Sequence, residues 1–157
     1  MSVTDRRTLL TAVAGGVAAT TGCLDGVGGR ATDEPDSREP TPVPCPTEPD
    51  PLTTESVGSY VVAFERAFAH REAIREFDDP TEVTVNPGEP TVEPLDEGHR
   101  VVLSEVFRSV TVEAGIADAE WIAAYLVTAD DTLRATSRSA TPPDPRASGV
   151  SVECPPG

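Results

Sequence analysis

The sequence predicts a small α+β domain in which one N-terminal helix packs on an antiparallel sheet of about four strands. The hydrophobic pattern has a helical period from about residue 53 and a period of two from residue 81 onward. All seven aromatic residues lie between Tyr60 and Tyr125, so a single core is expected in that part of the chain. Proline-rich segments on both sides limit the domain to residues 53–140.

A helix is predicted to begin at Thr53 or Thr54, either of which can cap it, and to end at the segment 78–80. Apolar residues recur at helical spacing and form a stripe that should face the core. Its members are Val57, Tyr60, Val61, Phe64, Ala67 and Phe68. Glu65 and His70 lie off this stripe, so both are expected on the polar face of the helix.

Four strands are predicted after the helix, at residues 82–85, 100–112, 121–128 and 132–138. The apolar side of the second strand changes near Ser104-Glu105, which indicates a β-bulge. The third strand is apolar on both faces and should be central, whereas the threonines and arginines of the fourth suit an edge. Two loops, residues 89–98 and 113–120, and a tight turn at Asp130-Asp131 are expected to connect the strands.

This order of elements resembles that of the cystatin-like and NTF2-like folds, in which a curved antiparallel sheet wraps a helix. The resemblance covers about residues 53–138, rests on element order alone and implies no activity. It implies that any ligand would bind on the concave side of the sheet, near Trp121 and Tyr125 and the helix end at Arg71 and Arg75. Those two arginines either cover the edge of the core with their methylene groups or line an anion pocket.

Residues 1–22 are predicted to be an export signal. Arg6-Arg7 precedes a weakly apolar run, residues 8–22, that is too short and too mild to span a hydrocarbon core of about 30 Å. The segment resembles a twin-arginine signal joined to a lipoprotein cleavage box, although Thr20 stands where leucine is most common. The resemblance implies a lipid on Cys23 and an anchor at the outer face of the cytoplasmic membrane. An ordinary secretory signal and a buried N-terminal helix are the alternatives.

The charge of the chain indicates a salt-rich solvent. All 12 basic residues are arginine, against 27 carboxylates, which gives a net charge of −15. Repulsion at this density requires screening, and at about 1 M salt the screening length is about 3 Å. With the paired-arginine signal, this composition resembles that of an exported lipoprotein of a halophilic archaeon. A basic partner or a cation store is the alternative role for the acidic surface. Binding to nucleic acid or to an anionic bilayer through a basic surface is not expected.

Two proline-rich segments and a predicted disulfide flank the domain. Residues 23–52 are predicted to form a linker. The 29 residues that follow Cys23 include seven prolines, and as an extended polyproline chain they could reach up to roughly 90 Å. Residues 141–157 form a second proline-rich tail. With Cys23 assigned to the lipid, Cys45 and Cys154 are expected to pair, because an exported domain of this size gains from a covalent link. Two free thiols or a redox pair are the alternative, but the spacing lacks the CxxC pattern that tunes thiol reactivity.

No catalytic, metal-binding or cofactor motif occurs in the sequence. His70 and His99 are expected to be solvated rather than to act as general bases. An acidic cluster near His99 matches no calcium loop and is better explained by the acidic surface. The cluster consists of Glu89, Glu93, Asp96, Glu97 and His99.

The sequence therefore predicts a lipid-anchored extracytoplasmic module that binds a small ligand or an envelope protein. The alternative is a small hydrolase-type or isomerase-type enzyme with an NTF2-like cavity, in which His99 or a buried carboxylate would be the base. A purely structural envelope component is a third option.

Overall fold

The computed structural model describes residues 39–156, which form one long helix, a one-turn helix and a six-stranded antiparallel sheet. The helices are α1 (Thr54–Glu76) and α2 (Pro145–Ser148). The strands are β1 (Glu82–Pro87), β2 (Pro90–Leu95), β3 (Gly98–Val112), β4 (Gly115–Val127), β5 (Thr132–Ser137) and β6 (Val150–Ser151). The α+β class and the packing of one main helix on an antiparallel sheet are confirmed, but the sheet is larger than predicted.

The export signal with Arg6 and Arg7, the lipidation site Cys23 and the first part of the linker lie outside the described residues. Within residues 39–156, no helix has both the length and the apolar character that a membrane crossing requires.

Helix α1 begins where its capping residues predict. Thr53 is the N-cap, and its Oγ1 accepts a hydrogen bond of 3.1 Å from the Ser56 backbone N–H. The Ser56 Oγ accepts one of 2.9 Å from the Thr53 N–H in return, which completes a capping box. The apolar stripe from Val57 to Ala67 is buried against the sheet, as its spacing predicts.

Strands β1 and β2 together form one interrupted edge strand along β3. β1 pairs with residues 106–111 of β3 and β2 with residues 98–103, so the interruption lies opposite Ser104-Glu105. At this point Gly88 donates a hydrogen bond of 2.6 Å to the carbonyl oxygen of Glu105, and a Cβ at Gly88 would lie 2.7 Å from that oxygen. The β3–β4 register also shifts here, which confirms the predicted bulge.

The prediction of a loop at residues 89–98 is wrong, because residues 90–95 form β2. Two prolines, Pro90 and Pro94, made this segment resemble a loop. β2 pairs with β3 alone, however, and an edge strand tolerates prolines because its outer backbone groups need no partner in the sheet.

The prediction of a loop at residues 113–120 is also wrong, since β4 begins at Gly115 after a two-residue turn. The more sheltered side of this segment carries only Ala117 and Ala119, so its alternation of apolar and polar residues is weak. β4 lies between β3 and β5, which confirms its predicted central position. Beyond β5 the sheet contains only the two-residue β6, which the sequence does not predict.

A disulfide joins Cys45 to Cys154, as predicted, with the two Cα atoms 6.0 Å apart. Helix α1 also binds both flanking segments through its arginines. Arg71 Nε donates to the Val43 carbonyl oxygen at 2.9 Å, and its Nη1 donates to that of Pro155. We call residues 39–52 and 152–156 the two arms; they meet the C-terminal half of α1 at Val43 and Pro155, where Arg71 binds them.

The disulfide should contribute strongly to stability because it closes a long segment of chain, since its two cysteines are 109 positions apart in sequence. Replacing both cysteines, as Cys45→Ser with Cys154→Ser, should lower the free energy of unfolding by up to about 4 to 5 kcal/mol. Denaturant unfolding at constant high salt measures the change. Reduction of the unsubstituted protein should give a similar loss, and an unchanged midpoint in both experiments would contradict the prediction.

Candidate functional site

A buried carboxylate, that of Glu65, joins helix α1 to the sheet. Its side chain is fully inaccessible to solvent, so its expected position on a polar helix face is wrong. Trp121 Nε1 donates a hydrogen bond to it at 2.8 Å, and the Tyr125 hydroxyl donates another. Arg134 donates two more, from Nε at 2.8 Å and from Nη2 at 2.7 Å, to the two carboxylate oxygens. We call these four residues the Glu65 network.

The geometry of the Glu65 network explains how the interior tolerates a charge. Burial of a carboxylate is costly unless a counter-ion and several hydrogen bonds compensate it, and a bidentate arginine supplies both. Burial lowers the pKa of Arg134, but the hydrogen bonds and charge of Glu65 outweigh this effect and raise the pKa above its ordinary value. Burial and the adjacent Glu65 carboxylate raise the pKa of Tyr125, so its hydroxyl remains a donor.

A cleft of about 310 Å³ lies between the C-terminal half of α1 and strands β3 to β5. This volume is at the lower end of the range typical of small-molecule sites. The helix contributes Phe68, Ala69, Glu72 and Glu76, and the sheet side contributes Arg108, Ala119, Trp121, Arg134, Thr136, Ser137 and Arg138. The cleft thus combines aromatic and small apolar surfaces with three arginines, on a chain whose net charge is −15.

Two of these guanidinium groups are fixed against aromatic rings. The Cζ of Arg134 lies 4.7 Å from the ring centroid of Phe68. The Cζ of Arg108 lies 5.6 Å from the centroid of Phe77 and 5.9 Å from that of Trp121. Stacking of this kind holds a planar cation in one orientation.

The structure does not bring the four predicted ligand-site residues together. Trp121 lines the cleft, and Tyr125 lies in the core with its hydroxyl on Glu65. Arg71 binds both arms, and Arg75 Nη2 lies 3.3 Å from the Pro156 carbonyl oxygen. Neither arginine lines the cleft, so a ligand-binding role for them stays a prediction.

Sequence reasoning missed Glu65, Arg108 and Arg134 as candidate site residues. A usable signal existed for Glu65, which is four residues after Val61 and three before Phe68 and therefore extends the buried stripe. Arg108 and Arg134 gave no such signal, because arginines in strands ordinarily face solvent.

The two histidines are not part of the cleft. The expectation that His70 is solvated is wrong, since only 6% of it is exposed. Burial, together with the charge of Arg71, lowers the pKa of His70 and favours its neutral form. Across the described part of the chain, no three side chains of the metal-ligating types lie close enough together to hold an ion.

Neither a protein-family model, nor a curated protein, nor a solved structure matches this chain. The resemblance to cystatin-like and NTF2-like folds therefore remains one of element order. The domain is defined as a helix-on-sheet α+β domain with a cleft of mixed charge, and its function is inferred from the chemistry of that cleft.

The Glu65 network should contribute strongly to the stability of the fold. Glu65→Gln keeps the shape of the side chain but leaves the Arg134 charge without its counter-ion in a largely buried position, 16% exposed. Loss of one partner of a buried pair costs about 3 to 5 kcal/mol, so the free energy of unfolding should fall by about that amount. Denaturant unfolding measures it.

Glu97→Gln is the matched control, because Glu97 forms an ion pair of 2.6 Å with Arg146 in which both side chains are 52% exposed. An exposed pair contributes little, so this variant should change stability far less. Equal effects of the two substitutions would show that burial of Glu65 is not what matters.

Proposed function

We propose that the protein is an exported, lipid-anchored module that binds a small ligand in the cleft beside Trp121, at the outer face of the cytoplasmic membrane. The observation that carries the proposal is a cleft of about 310 Å³ whose aromatic and guanidinium groups are fixed in place before any ligand arrives. Small-molecule sites combine apolar surface with a few oriented polar groups, and this cleft offers both, with polar and charged residues in the majority of its lining.

The Glu65 network supports this proposal because it fixes one wall of the cleft. Trp121 and Arg134 both line the cleft, and both donate hydrogen bonds to the buried Glu65 carboxylate. Their orientation is therefore set by the protein interior, and a ligand would not have to order them on binding. A site whose side chains are already ordered in the folded protein binds more tightly, because binding then loses less side-chain entropy.

The arrangement of the two arms is compatible with an anchored binding module. The arms bind Arg71 and Arg75, whereas the cleft uses other side chains of α1, among them Phe68 and Glu76. Neither arm contributes a side chain to the lining of the cleft. A tether to a lipid on Cys23 would therefore join the domain at an arm whose described residues take no part in the cleft lining.

No specific observation favours the enzyme alternative among the described residues. Glu65 is the buried carboxylate found there, and both of its oxygens already accept hydrogen bonds. His99, the other predicted base, is not part of the cleft lining. These contacts favour the binding module over the enzyme.

Binding can be followed through Trp121, which is the chain's single tryptophan and lines the cleft. A screen of small polar and aromatic compounds should yield saturable changes in tryptophan emission. Ala119→Leu should abolish them by filling the cleft, because Ala119 is one of the lining residues. Ala117→Leu, two residues earlier on β4 and outside the lining, is the matched control and should bind normally. A screen without saturable binding, or equal loss in both variants, would contradict the proposal.

The anchor can be tested by the intact mass of the protein from the membrane fraction of its own host. The mass should lack residues 1–22, include a lipid, and rise by two hydrogens on reduction because of the Cys45–Cys154 disulfide. An uncleaved or unlipidated chain would refute the anchor while leaving the cleft untouched.

A further inference from the structure

Arg108 is fixed in the cleft with an incomplete set of hydrogen bonds. Its side chain is only 14% exposed, and its Cζ lies within cation–π distance of two rings, 5.6 Å from the centroid of Phe77 and 5.9 Å from that of Trp121. Its Nη2 contacts the Glu76 carboxylate at 2.9 Å, but its buried Nε has no hydrogen-bond partner among the described residues. An unmatched donor on a buried cation is costly, and its occurrence in a cleft indicates a position that an acceptor can complete.

The carboxylate that meets Arg108 belongs to a side chain at the end of the helix. Glu76 is the last residue of α1, and its side chain is 59% exposed. An ion pair with one partner so exposed contributes little free energy, and helix ends fray. Glu76 is therefore itself hydrated, unlike the fully buried Glu65, and a ligand carboxylate that replaced it would keep the Arg108 charge paired.

We infer that the cleft recognises the carboxylate of a small organic anion through Arg108, and that Glu76 occupies the position of that carboxylate in the free protein. This inference rests on the proposed function, since it names the ligand class of the same cleft. A ligand carboxylate that engages both Nε and Nη2 would form the bidentate pair that Glu76 does not form with Arg108.

The other arginines of the cleft do not offer the same site. Arg134 already donates from Nε and Nη2 to Glu65, so its bidentate edge is occupied. Arg138 is exposed and forms no ion pair with another residue in the range 39–156, so it can attract an anion without orienting it. Arg108 is oriented by its aromatic neighbours, and its buried Nε lacks an acceptor among the described residues, so a ligand carboxylate would reach that atom by taking the place of Glu76.

The surroundings of Arg108 indicate what else the ligand carries. Ala119 lies directly opposite Arg108 in the β3–β4 pairing, and its short side chain leaves space beside the guanidinium. Phe68 and Trp121 supply aromatic surface on the walls of the cleft. The ligand class is therefore a carboxylic acid with a compact apolar or aromatic body, small enough for about 310 Å³.

The test compares acids with their uncharged analogues. A panel of aryl-substituted and branched carboxylic acids, each paired with its primary amide, is titrated by calorimetry against the full mature chain in the salt that keeps it folded. Each acid should bind more tightly than its amide. Glu76→Gln should raise the affinity for the acids about two- to fivefold, because it removes the internal competitor, and leave the affinity for the amides unchanged.

Glu97→Gln is the matched control, since it removes one exposed carboxylate from an arginine pair outside the cleft lining. This variant shows how much the loss of one negative charge from the protein surface changes the affinity for an acid by itself, and it should leave acid binding unaltered. Equal affinities for acids and amides, or equal effects of Glu76→Gln and Glu97→Gln, would overturn the inference and leave the proposed function standing. Binding by no acid and no amide would overturn both.

Discussion

The buried carboxylate of Glu65 is the constraint on which the rest of this structure depends. A buried carboxylate is costly unless it accepts hydrogen bonds, and the donors for Glu65 come from β4 and β5. Helix and sheet are therefore held in one relative position by directional bonds as well as by apolar contact. The same bonds orient Trp121 and Arg134, so the requirement that stabilises the core also shapes a wall of the cleft.

Different sides of helix α1 contact the core, the cleft and the two arms. The stripe that begins at Val57 packs into the core, Glu72 and Glu76 border the cleft, and Arg71 and Arg75 bind the arms. The disulfide adds a covalent link between the two arms. A domain of this size buries a modest core, so fixing its long flanking segments beside the helix adds order that the core alone would not supply.

Two arginines of this chain contact aromatic rings in a way that a lysine could not reproduce, because only the guanidinium group is planar. An acidic chain in high salt gains little from exposed ion pairs, because screening reduces their attraction. Guanidinium groups that stack on rings, as Arg108 does on Trp121 and Arg134 on Phe68, keep their position through partly desolvated contacts. Such contacts are screened less than exposed pairs, so these two guanidinium groups should keep their positions as the salt concentration rises.

Local sequence patterns were enough to predict α1, the bulge near residue 104, the central position of β4 and the class of the fold. Periodicity and capping are properties of short stretches of chain, so these features can be identified without a partner element. β2 and the first half of β4 escaped prediction, since edge prolines and alanines look like a loop until a partner strand is present. The cleft was decided by tertiary structure alone. Glu65 meets Trp121 and Arg134 across 56 and 69 residues of sequence, and no local pattern encodes which distant charge will neutralise a buried one.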